Sequence, residues 1–245
     1  MTVMTLLGFF LLPSDQTERP LATAPVGEVR WLGAMRKVMR EGDLTGVVDL
    51  RALADRSHLY AVGPLEGLRG EVTIWDGKPS LATLKNGKVA IGKEFQGKAC
   101  FLVFAQVSRW REFDLPANLN KPEALEGHIR QVAHMAGVNT EQPIPFLVCG
   151  TAAQATLHIV NKTDNAPHTP KDHDKIKVPF DLEDQEVKVI GFYSEKHAGI
   201  FTHHDSNVHV HVLTVDGKLS GHLDRLVPGK KMRLSLPQVE ETPRR

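Results

Sequence analysis

Apolar positions recur along this chain with two different periods, and the change between them divides it. Trp31, Leu32, Met35, Val38 and Met39 fall three and four apart, the spacing of one face of an α-helix. Gly42 stands where a helix C-terminus favours glycine. Asp43 can cap a following helix built on Leu44, Val47, Val48, Leu50 and Leu53. From His58 the period becomes two. The segments HLYAV, EVTIWDG, PSLATLKNG and KVAIG are short and separated by Asp76-Gly77 and Asn86-Gly87, both preferred in two-residue hairpin turns. They predict an antiparallel meander, followed by a longer strand over residues 99–107.

One further helix is predicted between Asn120 and Gly137. Pro122 suits its first turn, Leu125, Ile129, Val132 and Ala136 form its apolar stripe, and Gly137 suits its end. Two strands follow around FLVCG and ATLHIV. The polar, proline-containing stretch 161–177 reads as a loop, and strands resume with EVKVIGFYS, NVHVHVLTV and KMRLSL. The fold class is therefore α/β of the α+β kind, with mixed, mostly antiparallel sheets and a few helices. The chain divides into an apolar N-terminal segment and linker (1–26), a helix pair plus meander (27–115), a connecting helix (116–145) and a C-terminal β region (146–245).

Composition narrows the function. The 245 residues are 41% apolar, enough for a proper core, and carry 30 basic against 29 acidic side chains. No long basic run exists, which argues against a nucleic-acid surface and for a small-molecule partner. Cys100 and Cys149 are far apart, each in an apolar run, and read as buried structural thiols. The stretch VMTLLGFFLLP near the N-terminus has the length of a signal-peptide core and is too short to span a bilayer. With LATAP after it as a cleavage region, export is the lean; a docked hydrophobic arm in a cytoplasmic protein is the alternative, because the usual basic start is missing. No stable membrane span is expected.

The chemistry lies in the last third. Half of the 12 histidines fall between His197 and His222. In NVHVHVLTVDGKLSGHL, His209 and His211 are two apart, so a strand puts them on one face and Val208, Val210 and Val212 on the other. Asp216-Gly217 supports a reversal that returns His222 alongside the pair. Three imidazoles with an open position form a catalytic-type site for a divalent metal, zinc first, with nickel, cobalt, manganese or iron also fitting. Adjacent His203 and His204 face opposite ways in an extended chain, and read as supporting or loop residues. The bland alternative is a polar strand face in solvent.

VIGFYSEKHAGIFTHHDSNVHVHVLTVDGKLSGHL resembles the metal-binding region of the acetolactate decarboxylases, with Ser220-Gly221-His222 in place of that family's GGH. GPLEGLRGEVTIWDGKPSL resembles a second family segment, and WLGAMRKVMREGDLTGVVDLRAL the family's N-terminal helices. The resemblance covers most of residues 31–236. It implies two β-rich lobes with the metal between them, a homodimer, and loss of CO2 from 2-acetolactate or a related 2-hydroxy-3-keto acid to give an acetoin-type product. It implies that the cation stabilises the charge left by CO2, and it makes Glu71 the catalytic carboxyl that handles a proton. Leu147 stands where the family carries an arginine, and Glu240 and Glu241 have no clear match to its C-terminal glutamate. A cation for the substrate carboxylate would then come from His158, Arg109 or Arg111. The alternatives are a divergent member with another metal-assisted reaction and a non-catalytic zinc-binding protein.

Overall fold

The computed structural model describes residues 27–119, 121–164 and 166–238. The apolar N-terminal segment, Glu240 and Glu241 lie outside them. Among the described residues no helix is long and apolar enough to cross a membrane.

Two six-stranded sheets form the framework of the molecule. The first contains β1 (Arg30–Leu32), β3 (Leu59–Pro64), β4 (Glu71–Trp75), β5 (Lys78–Lys85), β6 (Lys88–Gly92) and β8 (Leu102–Gln106), in the order β1-β8-β3-β4-β5-β6. Its middle is the meander that the alternating segments predict. Both turns have left-handed backbone at their two central residues, Asp76 at φ 49° with Gly77 at 75°, and Asn86 at 50° with Gly87 at 72°. That geometry matches the twist of the flanking strands and selects the Asp-Gly and Asn-Gly pairs. Short β2 (Val48–Asp49) and β7 (Lys98–Ala99) pair separately beside it.

The second sheet holds β9 (Trp110–Asp114), β10 (Ile144–Val160), β11 (Lys177–Tyr193), β12 (Val208–Thr214), β13 (Ser220–Pro228) and β14 (Arg233–Pro237). β10 pairs with β11 and β13, and β12 pairs with both β11 and β13, so these four strands form a closed circuit. FLVCG and ATLHIV, expected as two strands, are one long strand with Gly150 inside it. Strand β9, which falls in the first lobe by its place in the sequence, hydrogen-bonds to β14 in the second sheet.

Two helices complete the framework. Helix α1 (Met35–Glu41) ends at Gly42, whose φ of 66° is the left-handed cap expected there. Trp31 and Leu32, read as its first turn, instead pair with Val103 and Leu102 in β1. The second predicted helix is not formed. Val48 pairs with Ala99, and only Leu50–Leu53 coil, as a 3-10 turn capped by Asp49. Its apolar residues do reach the core: Val48, Leu50 and Leu53 pack with Leu59, Ile74 and Leu102. A burial requirement was legible there, and β-branched valines beside Gly46 satisfied it in extended form. Helix α2 (Pro122–Met135) lays Leu125, Ile129 and Val132 on the core of the second sheet.

The two sheets meet through Val62, Val103, Leu147, Ile190 and Phe192, all buried. Two buried side-chain bonds also cross between them, Ser80 to Ser220 at 2.9 Å and Thr73 to His211 at 3.0 Å.

Candidate metal centre

Strand β12 puts His209 and His211 on one face, 2% and 0% exposed. Val210 and Val212 on the other face enter the core of the second sheet. The strand is pinned at its start by helix α2: Glu126 accepts from the Ser206 hydroxyl at 2.6 Å and from the Asn207 backbone N–H at 3.2 Å. At its end Thr214 donates to Asp216 at 2.6 Å, and the chain reverses through Gly217. On the returning strand His222 pairs directly with His211. Gly221 makes the approach to β10 close enough, since a Cβ there would lie 2.4 Å from the His158 carbonyl oxygen.

The outcome is three imidazoles that each offer a ligand atom within 4.8 Å of the others. Nδ1 of His209 and Nε2 of His211 are buried without a hydrogen-bond partner. Unpaired buried nitrogens are costly unless something accepts their lone pairs. A divalent cation does so, and the all-imidazole donor set suits one. Thr73, from the first sheet, orients the middle ligand. With Nδ1 of His211 donating to the Thr73 hydroxyl, Nε2 is left to bind.

Glu71 comes to the same point from β4. It is 3% exposed, with Oε2 3.7 Å from Nε2 of His211 and Oε1 accepting from the Val160 backbone N–H at 3.3 Å. Burial pushes its carboxyl well above the ordinary range. Burial likewise pushes His209 and His222 well below the usual imidazole value, and His211 down to about 3. The protein thus keeps its imidazoles neutral, the form that binds metal.

A pH dependence follows for the chelator-stripped protein. These histidines titrate lower folded than unfolded, so folding is favoured above the unfolded value of about 6.5 and weakens as pH falls from there towards 3. Glu71 runs the other way, its effect setting in above the ordinary carboxylate value, but one carboxyl opposes several imidazoles. We expect the thermal midpoint of the metal-free protein to fall steadily between pH 7 and pH 5 in a calorimetric series. A flat profile would contradict the burial of neutral imidazoles.

The pocket over the triad has an apolar wall from α1, with Met35, Val38 and Met39, joined by Leu68 and Phe101. Helix α1 is held there because its first N–H groups donate to the carbonyls of Ile200 and Gly199, both at 2.7 Å. The polar side holds His158, His173 and His203. Of the adjacent pair, His203 enters the pocket, its ring 5.3 Å from that of His222, while His204 turns away to Arg40 at 2.9 Å.

Leu147 is buried in the core between the sheets, and the pocket residues on its strand are His158 and Val160. Arg111 lies over the Phe113 ring on β9, and Arg109 borders a separate cavity. Of the three cationic candidates, His158 is the one that lines this pocket. His173, Thr73 and Asp224 could not be singled out from sequence, because loop folding and strand register decide their place.

The family model for alpha-acetolactate decarboxylase matches residues 37–243. The chain belongs to the alpha-acetolactate decarboxylase family. Solved structures agree on its fold. The alpha-acetolactate decarboxylase of Bacillus subtilis strain 168 superposes with a TM-score of 0.68 at 15% identity, over 85% of each chain. That of Bacillus subtilis subspecies spizizenii gives 0.69 at 15%, over 87% of each. A Staphylococcus aureus protein of unknown function, similar to alpha-acetolactate decarboxylase, gives 0.68 at 14%, over 85% of this chain and 84% of its own. No curated protein sequence matches the chain.

Proposed function

We propose that this family member is a metal-dependent carboxy-lyase that converts 2-acetolactate, or a related 2-hydroxy-3-keto acid, to the acetoin-type ketol and CO2. The observation that carries this reading is the convergence of His209, His211 and His222 on one point, beside a pocket lined by His209, His222 and the buried carboxyl of Glu71. His209, His211 and His222 hold the cation, zinc first, with one face open to the pocket. When bound, the cation draws negative charge towards itself as CO2 departs.

The rest is done by the chain. Glu71 holds a proton at Oε2, beside the triad, and passes it to the carbon that loses CO2. Val160 keeps the carboxyl oriented through its backbone N–H. Met35, Val38 and Phe101 exclude water from the reacting carbon and accommodate the substrate's methyl groups. The substrate is a small molecule; the protein acts as a homodimer, and its N-terminal apolar stretch serves export.

The test is direct. Purified protein given Zn2+ and racemic 2-acetolactate should release acetoin and CO2 well above a metal-only blank. Acetoin at the blank rate would overturn the reading.

A further inference from the structure

Asp224 sits at an irregularity in the β13–β10 pairing. Leu223 pairs with Leu157 and Arg225 with Thr156, which leaves Asp224 without a partner across the ladder. An extra residue of this kind bends the strand and re-aims a side chain, and such bulges concentrate beside active sites. Here the re-aimed group is a carboxylate whose oxygens lie 2.9 and 2.8 Å from Nδ1 of His158.

His158 is 4% exposed. It pairs across the same ladder with His222, ring centroids 4.8 Å apart, and lines the pocket with Glu71, His209 and His222. A carboxylate can only accept, so Nδ1 of His158 carries a hydrogen, and in the neutral ring the lone pair is then on Nε2. Of the two neutral tautomers, this contact selects the one that accepts at Nε2. The apolar wall of Met35, Val38 and Phe101 offers a substrate alcohol no acceptor, and on the polar side His158 is an imidazole whose ring hydrogen a carboxylate holds in place.

We propose that His158, held by Asp224, accepts the hydrogen bond of the substrate's tertiary hydroxyl and so selects 2-hydroxy acids. Asp224 is the positioning residue. The identity of the substrate rests on the decarboxylase reading above; selection for a hydroxyl donor can be measured without turnover.

The probes are 2-hydroxyisobutyrate and 2-methoxyisobutyrate, which are unreactive and differ in the donated hydrogen. Calorimetry on zinc-supplemented protein should show the hydroxy acid binding roughly tenfold more tightly or better, the scale of leaving a buried donor or acceptor unpaired. His158→Leu should compress that ratio to within about threefold while metal content stays stoichiometric. Asp224→Asn should do the same, because an amide can donate to Nδ1 and turn Nε2 into a donor; its side chain is half-exposed, so this variant tests the idea even if His158→Leu fails to fold. His158→Gln, which retains an acceptor oxygen, should keep part of the preference. The proposal is overturned if the unaltered protein shows no preference or fails to bind the hydroxy acid, or if Asp224→Asn keeps the full ratio. An intact preference without acetoin production would sink the decarboxylase reading and leave the role of His158 standing.

Discussion

Replacing His209 and His211 together with alanine should abolish stoichiometric metal in the purified protein, and acetoin formation with it. Two of the three imidazoles disappear, and His222 alone is a weak ligand. The loss is not a matter of packing alone. His211→Ala also strips Thr73 of its partner in a buried setting, at about 1–3 kcal/mol. The variant should therefore melt lower than the parent, and metal content is the reading that discriminates. Elemental analysis of the folded fraction should fall to background. His222→Ala, at a less buried position, provides a gentler comparison with the same expected direction. Unchanged metal in the double variant would place the cation elsewhere and remove the basis of the functional proposal.

Glu71→Gln should separate binding from chemistry. The substitution is isosteric, and its amide oxygen can still accept from the Val160 N–H. Metal content should stay stoichiometric, because the three histidines are untouched. The amide cannot pass a proton, so turnover should drop by roughly 10²–10⁴-fold, the usual scale of a positioned acid or base. The drop should appear in kcat, with KM changed much less. A variant that turns over at the parent rate would return Glu71 to the role of a buried structural carboxyl.

How much of this was legible in the chain depends on how local each determinant is. The two hairpins were readable because Asp-Gly and Asn-Gly act through backbone sterics at two residues. The triad was readable because it needs one strand, one reversal and one returning strand, all within residues 208–222. The segment after Gly42 was misread as a helix because its apolar spacing fits both forms. What settled it was pairing with Ala99, about fifty residues away. Thr73 and Asp224 were invisible for the same reason. Thr73 meets His211 only when two sheets pack, and Asp224 meets His158 only through a slip in register. Leu147 belongs to the core between the sheets, while farther along the same strand His158 and Val160 line the pocket.

The side-chain bonds from Thr73 to His211 and from Ser80 to Ser220 join the two sheets beside an apolar seam, together with the bond from the Val160 N–H to Glu71. The three histidines are set by one ladder and stay in register whatever the neighbouring sheet does. Glu71 and Thr73 arrive from across the seam. On the proposed function, reactivity would be a property of the junction, while cation affinity would belong mainly to one side of it. Substitutions at Ser80 or Ser220 are then expected to loosen the junction and lower turnover in protein that still holds its metal. Natural variation along this seam offers a way to tune or switch off the chemistry without disturbing the histidines that first draw the eye.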